Sequence, residues 1–125
     1  PEEYLQLIRD VDRGDAFGAH MDFANMINGI ERYHDREAFL DRCFTLLGPY
    51  IKSIHLKDVK LMPGLPCRLE EQLPGLGDID LKGVLRRIDR VGGAPPVFVE
   101  HLQTYEEYKT ALATVRALRD RMYEA

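Results

Sequence analysis

The sequence predicts an α/β fold in which three parallel strands alternate with four helices, in the order αβαβαβα. In four segments, apolar residues recur at spacings of three or four, which indicates amphipathic helices. Three short apolar runs, bounded by glycine, proline or polar residues, lie between these segments and are typical of buried strands. Because strands that alternate with helices form βαβ units, we expect the three strands to lie parallel in one sheet.

The composition is that of one globular domain. The chain has 125 residues, of which 45% are hydrophobic and 30% charged, and its net charge is −4. This acidic balance disfavours a nucleic-acid partner, since such partners usually bind a basic face. No apolar run approaches the length of a membrane span. Cys43 and Cys67 have neither metal-ligand spacing nor a disulfide framework, so we expect a cytoplasmic protein in a reducing compartment.

The first half of the chain predicts a helix, a strand and a second helix. The apolar stripe that starts at Tyr4 predicts a helix from Glu2 to about Asp12, which Arg13-Gly14-Asp15 ends. The short apolar run from Ala16 to Asp22 predicts a buried strand. After a polar loop, Asp35 is placed to cap the second helix, and Gly48-Pro49 ends it.

The middle of the chain predicts a second strand, from Tyr50 to about Leu61, and a third helix. A long loop, rich in proline and glycine, runs from Val59 to Ile79, and a loop of this length on the active face often acts as a lid or a substrate wall. Asp80 opens the third helix, which Gly92-Gly93 stops.

The end of the chain predicts a third strand and a fourth helix. The strand runs from Pro96 to Leu102. Thr104 and Glu107 then form a capping box, T-x-x-E, at the start of a helix whose apolar residues follow at spacings of three or four.

Each predicted strand carries, at or near its end, groups that ligate metals or move protons. The strands contain His20-Met21-Asp22, His55-Leu56-Lys57-Asp58 and Glu100-His101. Because the carboxyl ends of parallel strands share one rim, we expect Asp22, His55 and Glu100 to converge. A lone aspartate at a strand end is more often a cap, and a lone strand histidine is usually only a satisfied polar group. Three such residues at successive strand ends favour a binding site for Mn²⁺, Co²⁺, Mg²⁺ or Zn²⁺.

The neighbouring polar residues suggest substrate contacts. Lys57 shares a face with His55, and an inward lysine is costly without an anionic or polyol partner, which favours a substrate contact. Asn25 follows the first strand and either binds a substrate hydroxyl or caps the loop. His20 lies one layer below Asp22, either as an interior histidine or as a hydrogen-bond donor behind the ligands. Asp58 and His101 have the opposite parity along their strands and are interpreted as structural.

Four segments together resemble the xylose-isomerase-like superfamily, and more narrowly its sugar phosphate isomerase/epimerase branch. They are Phe17 to Asp22, Ile54 to Asp58, Gly75 to Asp80 and Phe98 to His101. The strand H-L-K-D, the loop G-x-G-D-x-D and an apolar strand ending in glutamate are fairly specific in combination, and the resemblance covers essentially the whole chain.

The resemblance implies that residues 1–125 are the C-terminal half of a (β/α)8 TIM barrel. In that family a divalent metal is held by Glu, Asp, His and Glu from four strands. Asp22, His55 and Glu100 match the last three ligands, on the sixth, seventh and eighth strands of the full barrel. The first glutamate would then lie upstream of Pro1. A complete barrel has roughly 250 residues, about twice this length.

The same resemblance implies isomerisation or epimerisation of a sugar or sugar phosphate through an enediolate, with Glu100 both a metal ligand and one of two acid/base groups. Alone, the chain is expected to be inactive. A metal-dependent keto-polyol dehydratase is a close alternative. A second alternative is a non-catalytic half barrel that self-associates or pairs with the N-terminal half, because a half barrel is expected to leave two strand edges and an apolar inner face uncovered. Asn25 stands where many of these epimerases carry a histidine, and too few histidines are present for the related zinc endonucleases.

Overall fold

The structure, a computed structural model, describes residues 1–124. Its helices are α1 Glu2–Val11, α2 Phe23–Met26, α3 Ile30–His34, α4 Arg36–Leu47, α5 Leu81–Val91 and α6 Tyr105–Asp120. Its strands are β1 Ala19–Met21, β2 Ile51–His55, β3 Asp58–Met62, β4 Arg68–Gln72 and β5 Val97–Phe98. None of the helices in the described range is long and apolar enough to cross a membrane.

The main sheet contains three parallel strands in the order β1-β2-β5, with β2 in the centre. In its register His20 lies opposite Ser53, and His55 lies opposite Phe98. The predicted parallel sheet with intervening helices is therefore confirmed. Since all three strands run the same way, their carboxyl ends meet at one edge of the sheet.

The two faces of this sheet differ. One face is apolar and packs into the core with α4 and α5; its fully buried residues include Met21, Ile54 and Leu56. The other face carries His20, Ser53, His55 and Phe98, and both His20 and Phe98 are exposed. A half barrel was expected to leave an apolar inner face uncovered, but the open face here is mostly polar.

The second predicted strand is too long, and the loop after it is not without structure. β2 ends at His55, and β3 begins at Asp58 in a separate antiparallel hairpin with β4. Leu61 pairs with Leu69, and both pack against the core. The predicted first and third strands are likewise longer than β1 and β5, and two short helices, α2 and α3, occupy the polar loop after β1.

Asp58 holds the loop that follows the hairpin. Its carboxylate is fully buried and accepts hydrogen bonds from the backbone N–H groups of Val59, Gly75, Gly77 and Ile79, at 2.9 to 3.1 Å. These four charge-assisted bonds stabilise a carboxylate that would otherwise be costly to bury. The geometry agrees with the structural interpretation of Asp58.

Candidate metal centre

The carboxyl-end edge of the main sheet brings Asp22, His55 and Glu100 together. Each residue offers one ligand atom, and the three atoms lie within 4.8 Å of one another. His55 Nδ1 is 2.6 Å from Glu100 Oε1 and 3.6 Å from Asp22 Oδ2. All three side chains are partly buried, so the group faces a restricted volume and is still reachable from solvent.

Asp22 is positioned by the helix that it starts. It is the N-cap of α2, where its Oδ1 accepts a hydrogen bond from the Asn25 backbone N–H at 3.1 Å. Its Oδ2 accepts a second bond from the Asn25 side-chain amide at 2.9 Å and points toward the cluster. Asp22 therefore serves as a helix cap and as a member of the cluster at once.

Lys57 lies inside the cluster, with only 1% of its side chain exposed. Its Nζ is 2.5 Å from Glu100 Oε1 and 2.9 Å from Asp22 Oδ2. Burial alone would lower the pKa of the Lys57 ammonium, but the two carboxylates outweigh burial and hold its pKa above the ordinary value. Lys57 is thus a buried cation that is matched by two anions.

The other two polar residues that the sequence singles out, Asn25 and His20, lie at different depths. Asn25 Oδ1 is 3.4 Å from Lys57 Nζ, so Asn25 borders the cluster directly. His20 lies below it, with Nδ1 2.5 Å from Ser53 Oγ and its ring edge-on to the His55 ring at 4.0 Å between centroids. His20 therefore supports the His55 ring and contacts neither carboxylate of the cluster.

Sequence reasoning missed two residues beside the cluster. His101 Nδ1 is 3.2 Å from Lys57 Nζ and 3.1 Å from Glu71 Oε2. His101 has a φ of +58°, in the left-handed region, which turns its ring back toward Lys57 in spite of its parity along the strand. Glu71 lies on β4, in the segment that the sequence predicts as loop, and nothing in the sequence marks it.

A cleft of about 420 Å³ opens between the α2–α3 segment and the β3–β4 hairpin. Asn25 and Glu71 both line it, so the cleft adjoins the cluster. The Tyr33 hydroxyl donates a 2.7 Å hydrogen bond to Asp78 Oδ2 and ties α3 to the loop after the hairpin. That bond lowers the pKa of Asp78 and raises the pKa of Tyr33.

The donor set suits a hard or borderline divalent cation. Two carboxylates and one imidazole are ligands that Mn²⁺, Co²⁺, Mg²⁺ and Zn²⁺ accept. Within residues 1–124, no buried side-chain nitrogen or oxygen lacks a partner, and the positive charge among these carboxylates is that of Lys57. The cation that these two carboxylates bind in the described residues is the Lys57 ammonium.

The parallel sheet, its helical layer and the residues at its carboxyl-end edge define a partial α/β fold of the xylose-isomerase-like kind. One solved structure that it matches is a xylose isomerase domain protein from Planctomyces limnophilus, with a TM-score of 0.72 and 24% sequence identity. The match covers 99% of this chain and 43% of that protein, so the chain spans less than half its length. No family model and no curated protein matches the sequence. The resemblance drawn from the motifs is confirmed at the level of the fold.

Proposed function

We propose that this chain carries part of the active site of a divalent-metal-dependent sugar isomerase or epimerase, which acts on a sugar or sugar phosphate through an enediolate. The observation that carries the proposal is the meeting of Asp22, His55 and Glu100 within 4.8 Å at one edge of a parallel sheet. In parallel α/β folds, this edge is where ligands bind and catalytic residues gather.

In this proposal Asp22, His55 and Glu100 hold the metal, and residues 1–125 supply the sixth to eighth strands of a barrel. A bound divalent cation would act as a Lewis acid, polarising the substrate carbonyl and an adjacent hydroxyl. A glutamate from the fifth strand would be the fourth ligand, as the motif resemblance implies.

Glu100 is the proposed acid/base group. Its Oε1 faces His55 and Lys57, whereas its Oε2 lies 3.7 Å from His101 Nε2. One oxygen can therefore ligate while the other takes a proton from a substrate carbon. Epimerisation needs a second carboxylate on the opposite face of that carbon, so we expect turnover only when another barrel half supplies it.

Lys57 and Asn25 are the proposed contacts for substrate oxygens, and the cleft beside them has the volume for a small ligand. His20 acts more remotely, through the His55 ring against which it packs. A keto-polyol dehydratase would use the same residues, because its reaction begins with the same proton abstraction.

A second candidate function is assembly without catalysis. The open sheet face, with its half-exposed Phe98, and the two unpaired strand edges favour association with another barrel half or with a second copy. In this alternative the cluster binds metal weakly.

Calorimetric titration with MnCl₂ tests the metal centre directly. We expect the unmodified chain to bind Mn²⁺ and His55→Ala to weaken binding by at least about tenfold, because one donor of three is lost. His34→Ala removes an exposed histidine and is the matched control. Equal affinities for the chain and His55→Ala, or dimerisation without any Mn²⁺ binding, would contradict the metal-centre proposal.

A further inference from the structure

Lys57 uses the same oxygens as the proposed metal. Its ammonium contacts Asp22 Oδ2 and Glu100 Oε1, at 2.9 and 2.5 Å. Those two atoms are also the carboxylate oxygens that lie nearest His55 Nδ1. A metal ligated by this group and the ammonium in its present position would therefore compete for two of the three donors.

Electrostatics makes that competition strong. Two cations held roughly 4 Å apart in a partly buried site repel each other several times more strongly than they would in bulk water. Lys57 is almost completely buried, so solvent screens this repulsion poorly. Either the ammonium withdraws when a divalent cation binds, or the affinity for that cation stays low.

The residues around Lys57 offer a place to which the ammonium can withdraw. On the side of the cleft, Asn25 Oδ1 lies 3.4 Å from Nζ and His101 Nδ1 lies 3.2 Å from it. Glu71 stands behind His101, at 3.1 Å, and adds a negative charge on that side. A short movement of the flexible lysine side chain would exchange the two ligand carboxylates for these groups.

We propose that Lys57 is a built-in cation that occupies the ligand carboxylates when no metal is bound and must withdraw toward Asn25 and His101 when a metal binds. This inference rests on the proposed function and extends it, since the displaced ammonium becomes available to a substrate oxygen in the cleft. Lys57 thereby keeps the carboxylates together without metal, at the cost of metal affinity.

Substitution of Lys57 by a neutral residue is expected to tighten Mn²⁺ binding, whereas loss of a residue that only stabilises the site would weaken it. Lys57→Met removes the competing charge, and we expect its Kd for Mn²⁺ to fall by about tenfold or more, as measured by calorimetry. Its melting temperature without metal should fall, because two carboxylates lose their partner, and saturating MnCl₂ should raise it by more than in the unmodified chain. Lys52→Met is the matched control, since Lys52 lies on β2, five residues before Lys57, but pairs with Asp15 at the surface.

Two further variants keep the test decisive if Lys57→Met does not fold. Lys57→Gln removes the charge but keeps a polar side chain, and should also bind Mn²⁺ more tightly. Lys57→Arg keeps the charge and should show no gain. Unchanged or weaker Mn²⁺ binding by the neutral variants would overturn the inference while leaving the metal centre intact. Absence of Mn²⁺ binding by every protein, including the unmodified chain, would overturn both.

Discussion

At the scale of single residues, the cluster depends on the alternation of side chains between the two faces of a parallel sheet. Asp22, His55 and Glu100 meet because each points from the open side of the sheet at its carboxyl end. Parity could not predict Glu71 or His101, since Glu71 enters through a hairpin and His101 through a left-handed backbone conformation. Such contacts depend on tertiary structure, which a local residue pattern does not encode.

The buried carboxylate of Asp58 makes a sharp prediction at Gly77. A Cβ added there would lie 2.2 Å from Asp58 Oδ1 and 2.7 Å from the Val59 carbonyl oxygen. We expect Gly77→Ala to lower the free energy of unfolding by about 1 to 3 kcal/mol, as overpacking of a tight site usually does. Urea denaturation measures the loss.

Gly29→Ala is the control for that substitution, because a Cβ at Gly29 meets no atom within 4 Å and its φ of −159° suits any residue. Equal stabilities for the two variants would mean that Gly77 does not pack closely against Asp58.

At the scale of elements, local signals predicted helix ends well and strand ends poorly. The capping box of α6 is present as predicted, with reciprocal bonds between Thr104 and Glu107, and Gly92, at a φ of +78°, follows the end of α5. The β3–β4 hairpin escaped prediction because the run from Tyr50 to Leu61 is continuous in β-forming character. After His55 the chain stops pairing with β5 and, from Asp58, pairs with β4. This switch depends on contacts that are distant in sequence.

The capping box gives the prediction for α6. Thr104→Ala removes the side-chain oxygen that accepts the Glu107 N–H, and we expect a loss of about 1 kcal/mol in unfolding free energy. Thermal unfolding followed by circular dichroism measures it. Thr110→Ala, at an exposed position inside the same helix, should be neutral or slightly stabilising, because alanine is the better helix former. A similar loss in both variants would argue against a specific capping role.

At the scale of the whole molecule, the fold matches part of a xylose isomerase domain protein. The sequence predicted the alternation of strands and helices, which is a local property, and the motifs pointed to the xylose-isomerase-like fold that the structural match supports. It did not predict that the uncovered face would be mostly polar, since which residues are covered depends on what packs against the sheet. Phe98, which lies half exposed on that face, is the apolar exception.

Self-association through the open face is expected to depend on Phe98. We predict that sedimentation analysis finds a concentration-dependent dimer, and that Phe98→Ser weakens dimerisation by about tenfold or more, because burial of a phenylalanine contributes about 1.5 to 3 kcal/mol. Tyr105→Ser, at an exposed aromatic residue on α6, is the control and should leave dimerisation unchanged. A chain that stays monomeric at all concentrations would contradict this proposal.

Because β5 is short, Glu100 is the least firmly held of the three cluster residues. The strand consists of only Val97 and Phe98, and Glu100 stands two residues beyond its end. Asp22 is fixed by the helix it caps, and His55 belongs to the central strand, which has a neighbour on each side. When the sheet edge frays, we expect Glu100 to leave first of the three, and a site that has lost it retains two donors but not the proposed acid/base group.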